Sequence, residues 1–274
     1  MTAHSSSFYN DFDPSASRWL DNLQRNNKIP KGVVSSMSIT DIDEVGDYQY
    51  AHFFAGIGGW PLALQLAQLE TDLKVWSGSC PCQPYSVAGK QRGTNDERDL
   101  WPVFNGLIGK ERPDLIFGEQ VASAIRHGWL DRLTCDLEDD GYLVLSAVLS
   151  ANLLGAPHER RRLFWGAIKQ DLLENPNSFR HTRWCSLGDS SWCSGYLQEH
   201  CKERLSSSKS FWENGEWTEG TEGQRLLLEP RSFPLCNGVP YRLELLRGYG
   251  NAIVPQLGAL FVTSFLDTII LAKL

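Results

Sequence analysis

The sequence predicts an α/β protein, a doubly wound, mostly parallel sheet that carries one small inserted domain. Three observations point there. Short apolar runs alternate with stretches of helical periodicity, the pattern of strands returning to one sheet through crossover helices. One such run, Tyr50 to Phe54, opens at once into Ala55-Gly56-Ile57-Gly58-Gly59. Composition then changes near Lys169, where periodicity gives way to serine clusters, charge and scattered tryptophans. Residues 1–169 and 239–274 are expected to form the main domain and residues 170–238 the inserted one.

The elements follow in order. Ser5 to Asn10 reads as a short strand, and Asp13-Pro14 starts a helix, with aspartate at the N-cap and proline at the first helical position. Ala16, Trp19, Leu20 and Leu23 are expected on its buried face. Val33 to Thr40 holds a weak strand, and Asp41-Ile42-Asp43-Glu44 a single acidic turn. After Tyr50 to Phe54 and its glycines, Pro61 opens a helix with Leu62, Leu66 and Leu69 on one face. A strand, a glycine turn and a helix N-terminus make the usual cradle for a nucleotide-like cofactor. Taken alone this signal is weak, because tight turns also use glycine for geometry.

Lys74 to Gly78 is the next strand, and it runs into Ser79-Cys80-Pro81-Cys82-Gln83-Pro84. Two prolines stiffen this loop, so a thiol held there needs little further ordering before reaction. A structural turn with incidental thiols explains the same residues. Leu100, Val103, Phe104, Leu107 and Ile108 make an amphipathic helix. Pro113 to Phe117 is a buried strand that delivers Gly118-Glu119-Gln120-Val121. A helix with Leu130, Leu133 and Leu137 follows, then strands at Tyr142 to Leu149 and Leu163 to Ile168. Val254 to Leu271 is a final amphipathic helix. In such sheets ligands gather at the C-terminal strand ends, where both Cys82 and Glu119 fall.

Composition narrows the function classes. With 274 residues, 42% of them hydrophobic, the chain can bury one sizeable core. Seven cysteines without paired spacing fit a reducing cytoplasm better than a disulfide framework. No Cys-x-x-Cys pair accompanies Cys185, Cys193 and Cys201, so no metal site is expected. A net charge of −7 argues against a general polyanion binder but allows a local basic cleft. No signal peptide or membrane-spanning stretch is expected.

Five separated stretches together carry a specific resemblance. Phe54-Ala55-Gly56-Ile57-Gly58-Gly59, Pro81-Cys82-Gln83, Glu119-Gln120-Val121, Arg160-Arg161-Arg162 and Gly250-Asn251-Ala252-Ile253-Val254-Pro255 occur in that order. The set resembles the motifs of the DNA cytosine-5 methyltransferases, most of all the versions carried by bacteriophages and prophages. It implies an S-adenosylmethionine-dependent enzyme with a Rossmann-like fold, acting on double-stranded DNA, cytoplasmic and monomeric. The resemblance makes Cys82 the nucleophile toward cytosine C6 and leaves Cys80 as a small residue facing the cofactor or core. It makes Glu119 the carboxyl partner at N3, and it places Arg160 and Arg162 near base and thiol. Phe54, Gly56, Ile57, Gly58, Gly59, Pro81 and Asn251 would line the cofactor site. His158 stands where the family often has glutamine.

Two departures matter. Gln120 replaces the asparagine usual between the glutamate and valine, which implies adjusted loop packing. The span from Gly59 to Val75 also holds one helix where the family has two further strands carrying the ribose and adenine contacts. The missing unit resembles the N-terminal segment instead, as in a circular permutation. On that match Asp11 binds the ribose hydroxyls, Phe12 stacks on adenine, and Asp41 contacts the adenine amino group. Helix capping is the plainer role for Asp11 and Asp13.

Residues 170–238 occupy the place of the family's target-recognition domain, with Lys202, Arg204, Lys209, Arg225 and Arg231 as candidate DNA contacts. An RNA cytosine methyltransferase, a catalytically silent DNA-binding relative and a thiol hydrolase are the competing readings. No histidine has an evident base role for the last.

Overall fold

The computed structural model describes residues 7–81, 99–154, 156, 160–175, 177–184, 216–219, 225–228 and 252–271. Seven strands form one sheet: β1 (Ser7–Asn10), β2 (Gly32–Ser35), β3 (Tyr50–Phe53), β4 (Val75–Gly78), β5 (Leu115–Val121), β6 (Tyr142–Leu149) and β7 (Arg162–Lys169). Their order is β2-β1-β3-β4-β5-β7-β6. The first five are parallel, and β7 runs antiparallel to both β5 and β6. Helices cover both faces, as the alternation of strands and helices predicts.

Register fixes which side chains share a face. Tyr9, His52, Ser77 and Phe117 are successive partners across β1, β3, β4 and β5. On their face lie α1 (Pro14–Arg25), α2 (Gly59–Leu66) and α6 (Pro255–Leu271). The opposite face, with Phe8, Phe53, Trp76 and Trp165, packs against α3 (Trp101–Glu111) and α4 (Trp129–Asp139). The α2–α6 contact is close because small residues meet there: a Cβ on Gly258 would lie 2.9 Å from the Ala63 methyl.

The connections hold an unusual feature. From β1, α1 leads outward to β2, whereas from the neighbouring β3, α2 leads the other way to β4. Adjacent strands that diverge in this way create the crevice where α/β sheets bind ligands. Both crossovers run over the same face in opposite directions, so they have opposite hands. The α3 crossover, over the other face, shares the hand of α1. Such connections are right-handed in about 98% of cases, which makes β3–α2–β4 the left-handed exception.

Several local expectations shift. In α1 the inward residues are Ser17, Leu20 and Gln24, and Trp19 is 44% exposed. The polar pair turns inward because each finds backbone partners. Ser17 Oγ donates to the Asp11 carbonyl at 2.9 Å, and Gln24 Oε1 accepts from Gly32 N–H at 2.8 Å. In α2 the buried face is Trp60, Pro61, Ala63 and Leu64, with Leu62 exposed. The acidic turn forms earlier, as a 3₁₀ turn over Ile39–Asp41. Strand β5 continues through Glu119 to Val121 because β7 pairs with it along its whole length.

Within residues 170–238 the described part comprises α5 (Gln170–Glu174), residues 177–184, and an antiparallel pair, β8 (Glu216–Glu219) with β9 (Arg225–Leu228). No helix among the described residues is long and apolar enough to cross a membrane. Among those residues no group of three or more His, Cys, Asp and Glu is placed to hold a metal.

Candidate active site

The crevice between β1 and β3 gathers the N-terminal candidates with the glycine turn. Asp11 follows β1 directly, and its Oδ2 accepts the Gly56 N–H at 2.7 Å while Oδ1 accepts the Asp13 N–H at 2.9 Å. Burial pushes this carboxyl upward from its usual range, opposed by those two N–H groups. The neighbouring Phe12 ring is 72% exposed, a large apolar surface left facing solvent beside the crevice. Asp13 caps α1, accepting from Ser15 N–H at 2.7 Å, so capping falls to Asp13 and leaves Asp11 to the turn.

Backbone conformation follows the chemistry of the turn. Gly58, at φ +82°, needs glycine twice over, since a Cβ there would come within 3.0 Å of Leu23. Phe54 adopts φ +51°, a left-handed state rarely taken by an aromatic residue, with its ring edge-on to Phe104 at 6.0 Å. Strain of this kind concentrates at ligand sites. Ile57 and Gly59 complete the turn into α2. Asp41 ends the 3₁₀ turn after β2 and is exposed, its Oδ1 accepting from Thr40 Oγ1 at 3.1 Å. The buried Asn10 amide ties this side of the crevice together, donating to the Ser35 and Met37 carbonyls at 3.3 and 2.8 Å.

The second cluster sits where β5 meets β7. Glu119 is 7% exposed, and its Oε1 lies 2.8 Å from Arg162 Nε. The approach is close but off-line for an aligned hydrogen bond, so the contact is an ion pair. Burial raises the Glu119 carboxyl to about 7, outweighing the opposing charges of Arg162 and Arg160. A carboxyl at that value exchanges a proton near neutral pH. Arg160, at φ +34°, donates to the Ala252 carbonyl, which joins this cluster to the chain entering α6.

Between the two clusters β4 ends and Ser79-Cys80-Pro81 leads toward Cys82. Gln120, 1% exposed, donates from Nε2 to the Cys80 carbonyl at 3.3 Å. Its longer side chain therefore braces the loop root. Burial pushes the Cys80 thiol far above the usual range, which keeps it protonated and unreactive. Trp60 Nε1 donates to Ser79 Oγ at 2.9 Å, a contact that no sequence pattern signals. Cys82, Asn251 and His158 lie outside the described residues, as do Cys185, Cys193, Cys201, Lys202, Arg204, Lys209 and Arg231. All described candidates lie along one edge of the sheet, formed by the C-terminal ends of the parallel strands and the start of β7. His52 is not among them. It is buried at mid-strand, stacked on Tyr9 and 2.8 Å from Ser77 Oγ, and burial lowers its pKa to about 3.

The chain is also similar in sequence to known proteins. The family model described as C-5 cytosine-specific DNA methylase matches residues 65–226, more than half of the chain. The Type II methyltransferase M.AplI of Arthrospira platensis is 35% identical over 110 residues, covering 38% of this chain and 32% of that protein. The orphan methyltransferase M.Rho11sI of Bacillus phage rho11s is 29% identical over 110 residues, covering 39% and 22%. The chain thus spans a third or less of the length of these relatives. Among solved structures, a mutant of Spodoptera frugiperda DNMT2 aligns with TM-score 0.38 and 17% identity, covering 60% of this chain and 43% of that one. By the match over more than half its length, the chain belongs to the C-5 cytosine-specific DNA methylases.

Proposed function

We propose that this protein transfers a methyl group from S-adenosylmethionine to C5 of a cytosine in double-stranded DNA, through a covalent bond between Cys82 and cytosine C6. The observation that carries the reading is the buried Glu119 carboxyl, raised to about 7 and held against Arg162. Cytosine C5 is a poor nucleophile until something adds to C6. The Cys82 thiolate forms the S–C6 bond, the displaced electron pair moves onto the ring, and Glu119 gives its proton to N3. Arg162 keeps Glu119 in place and offers charge near the base. S-adenosylmethionine, when bound, supplies the electrophilic methyl group that the activated C5 accepts. Solvent water then takes the C5 proton, the freed electron pair reforms the C5–C6 double bond as the S–C6 bond breaks and the thiolate leaves, and N3 returns its proton to Glu119. The target atom is stacked inside the duplex, so the base must leave the stack to react.

The crevice between β1 and β3 fits the cofactor. Asp11 offers a carboxylate for ribose hydroxyls and Phe12 an open ring for adenine. Asp41 offers an acceptor for the adenine amine, and the turn from Phe54 to Gly59 allows close backbone approach. Pro81 and Asn251 belong to the same pocket in this reading. The N-terminal unit supplies contacts that the family places after the glycine turn, and the left-handed β3–α2–β4 crossover supports that permutation. With α2 retained on the face beside the cofactor, a chain that continues to β4 without the intervening strands must turn the unusual way. Residues 170–238 serve as the target-recognition domain in this reading.

The test is transfer of tritium from methyl-labelled S-adenosylmethionine to duplex DNA. Label recovered as 5-methylcytosine, and lost in Cys82→Ser, supports the proposal. Binding of DNA without transfer to any duplex would favour the silent-binder reading, and label recovered only in RNA the RNA methyltransferase.

A further inference from the structure

We infer that Trp60 is a positioning residue, whose indole N–H ties the cofactor turn to the root of the thiol loop and sets the rate of the chemical step. The inference rests on the function proposed above. Trp60 is the second residue of α2, one position past Gly59, and is 4% exposed. Its ring stacks on Phe117 at 6.2 Å and meets Phe164 edge-on at 6.2 Å. Phe117 stands two residues before Glu119 on β5, and Phe164 is the partner of Glu119 across β7. One side chain thus touches the turn helix, the strand that carries the carboxyl and the strand opposite.

Its polar atom is what makes it more than packing. Three other buried tryptophans, Trp76, Trp129 and Trp165, have indole N–H groups without a hydrogen-bond partner among the described residues. Trp60 instead donates to Ser79 Oγ at 2.9 Å. Ser79 begins the three-residue root Ser79-Cys80-Pro81, whose next residue is Cys82. Gln120 grips the Cys80 carbonyl from β5. Consecutive root residues are therefore held from two elements, one bearing the glycine turn and the other bearing Glu119. A nucleophile positioned by such ties reacts faster without the cofactor binding any tighter.

The experiment compares Trp60→Phe, Ser79→Ala, their double variant and Ser79→Thr. One neutral hydrogen bond predicts about a 3- to 10-fold fall in single-turnover methyl transfer for Trp60→Phe and Ser79→Ala. S-adenosylmethionine affinity should stay within about twofold, since neither change removes a cofactor contact. The double variant should lose no more than either single one, and Ser79→Thr, which keeps the hydroxyl, should retain the rate. Peptide-resolved hydrogen exchange over residues 79–86 should rise in Trp60→Phe and Ser79→Ala and stay unchanged in Ser79→Thr. Unchanged exchange in the first two overturns the inference, as does a cofactor affinity that falls in step with rate. If the unmodified protein transfers no methyl group, the proposed function fails, and the exchange measurement still decides the tie.

Discussion

Glu119 concentrates the competing forces of the site in one side chain. Burial favours its neutral form, two arginines favour the charged one, and burial prevails to give a value near 7. A folded carboxyl raised above its unfolded value of 4.5 favours folding at low pH, and that contribution is lost as pH rises from 4.5 through 7. Its removal should therefore stabilise the protein increasingly across that window. Glu119→Gln is expected to melt higher than the unmodified protein at pH 8, by on the order of 3 kcal/mol, with the gap closing toward pH 4.5. Its methyl-transfer rate should fall about 10²- to 10⁴-fold. Equal melting curves at pH 8 would mean that Glu119 is ionised without penalty. Asp11 provides the matching test on the cofactor side. Asp11→Ala should weaken S-adenosylmethionine binding roughly tenfold or more, the scale of a charged hydrogen bond. Unchanged affinity by calorimetry would remove the basis for placing the ribose there.

At the scale of elements, β5 sets the position of the Glu119 carboxyl. It pairs with β7 over seven residues, from Leu115 with Ile168 to Val121 with Arg162, and that pairing sets Glu119 beside the arginine. Gly118 permits this closeness, since a Cβ there would lie 2.2 Å from Trp165 and 2.5 Å from the Gly78 carbonyl. Gly118→Ala must displace a buried tryptophan or the end of β4. A loss of about 1–3 kcal/mol in denaturant unfolding is expected, with lower activity even in the folded fraction. A neutral result would contradict the packing described between β4, β5 and β7. The elements also mark where sequence reasoning stops. Strand and helix identities were legible because apolar periodicity reports burial directly. The facing of α1 was not, because Ser17 and Gln24 look like surface residues until their backbone partners appear. That Asp11 meets the glycine turn and Glu119 meets Arg162 follows from the resemblance, through residue type and order along the chain. Trp60 and Ser79 were not legible, since their meeting depends on a helix and a strand end folding against each other.

Among the described residues, the seven-stranded sheet carries N-terminal strands that complete the side of the crevice opposite the glycine turn. If the left-handed β3–α2–β4 crossover results from permutation, relinking should remove it. A chain rebuilt so that residues 7–45 are inserted between α2 and β4, with flexible linkers, is expected to fold and to bind S-adenosylmethionine within a few fold of the natural order. Failure of that protein to bind cofactor while remaining folded would argue against the permuted assignment. Covalent chemistry is the central claim, and trapping tests it most directly. Duplex DNA carrying 5-fluorocytosine at target sites cannot lose fluorine after methylation, so the enzyme–DNA bond should persist. Mass spectrometry of the digested complex should place the adduct on Cys82, with Cys80→Ser still trapped and Cys82→Ser not. A stable adduct on any other residue, or methyl transfer to DNA undiminished in Cys82→Ser, would contradict the account.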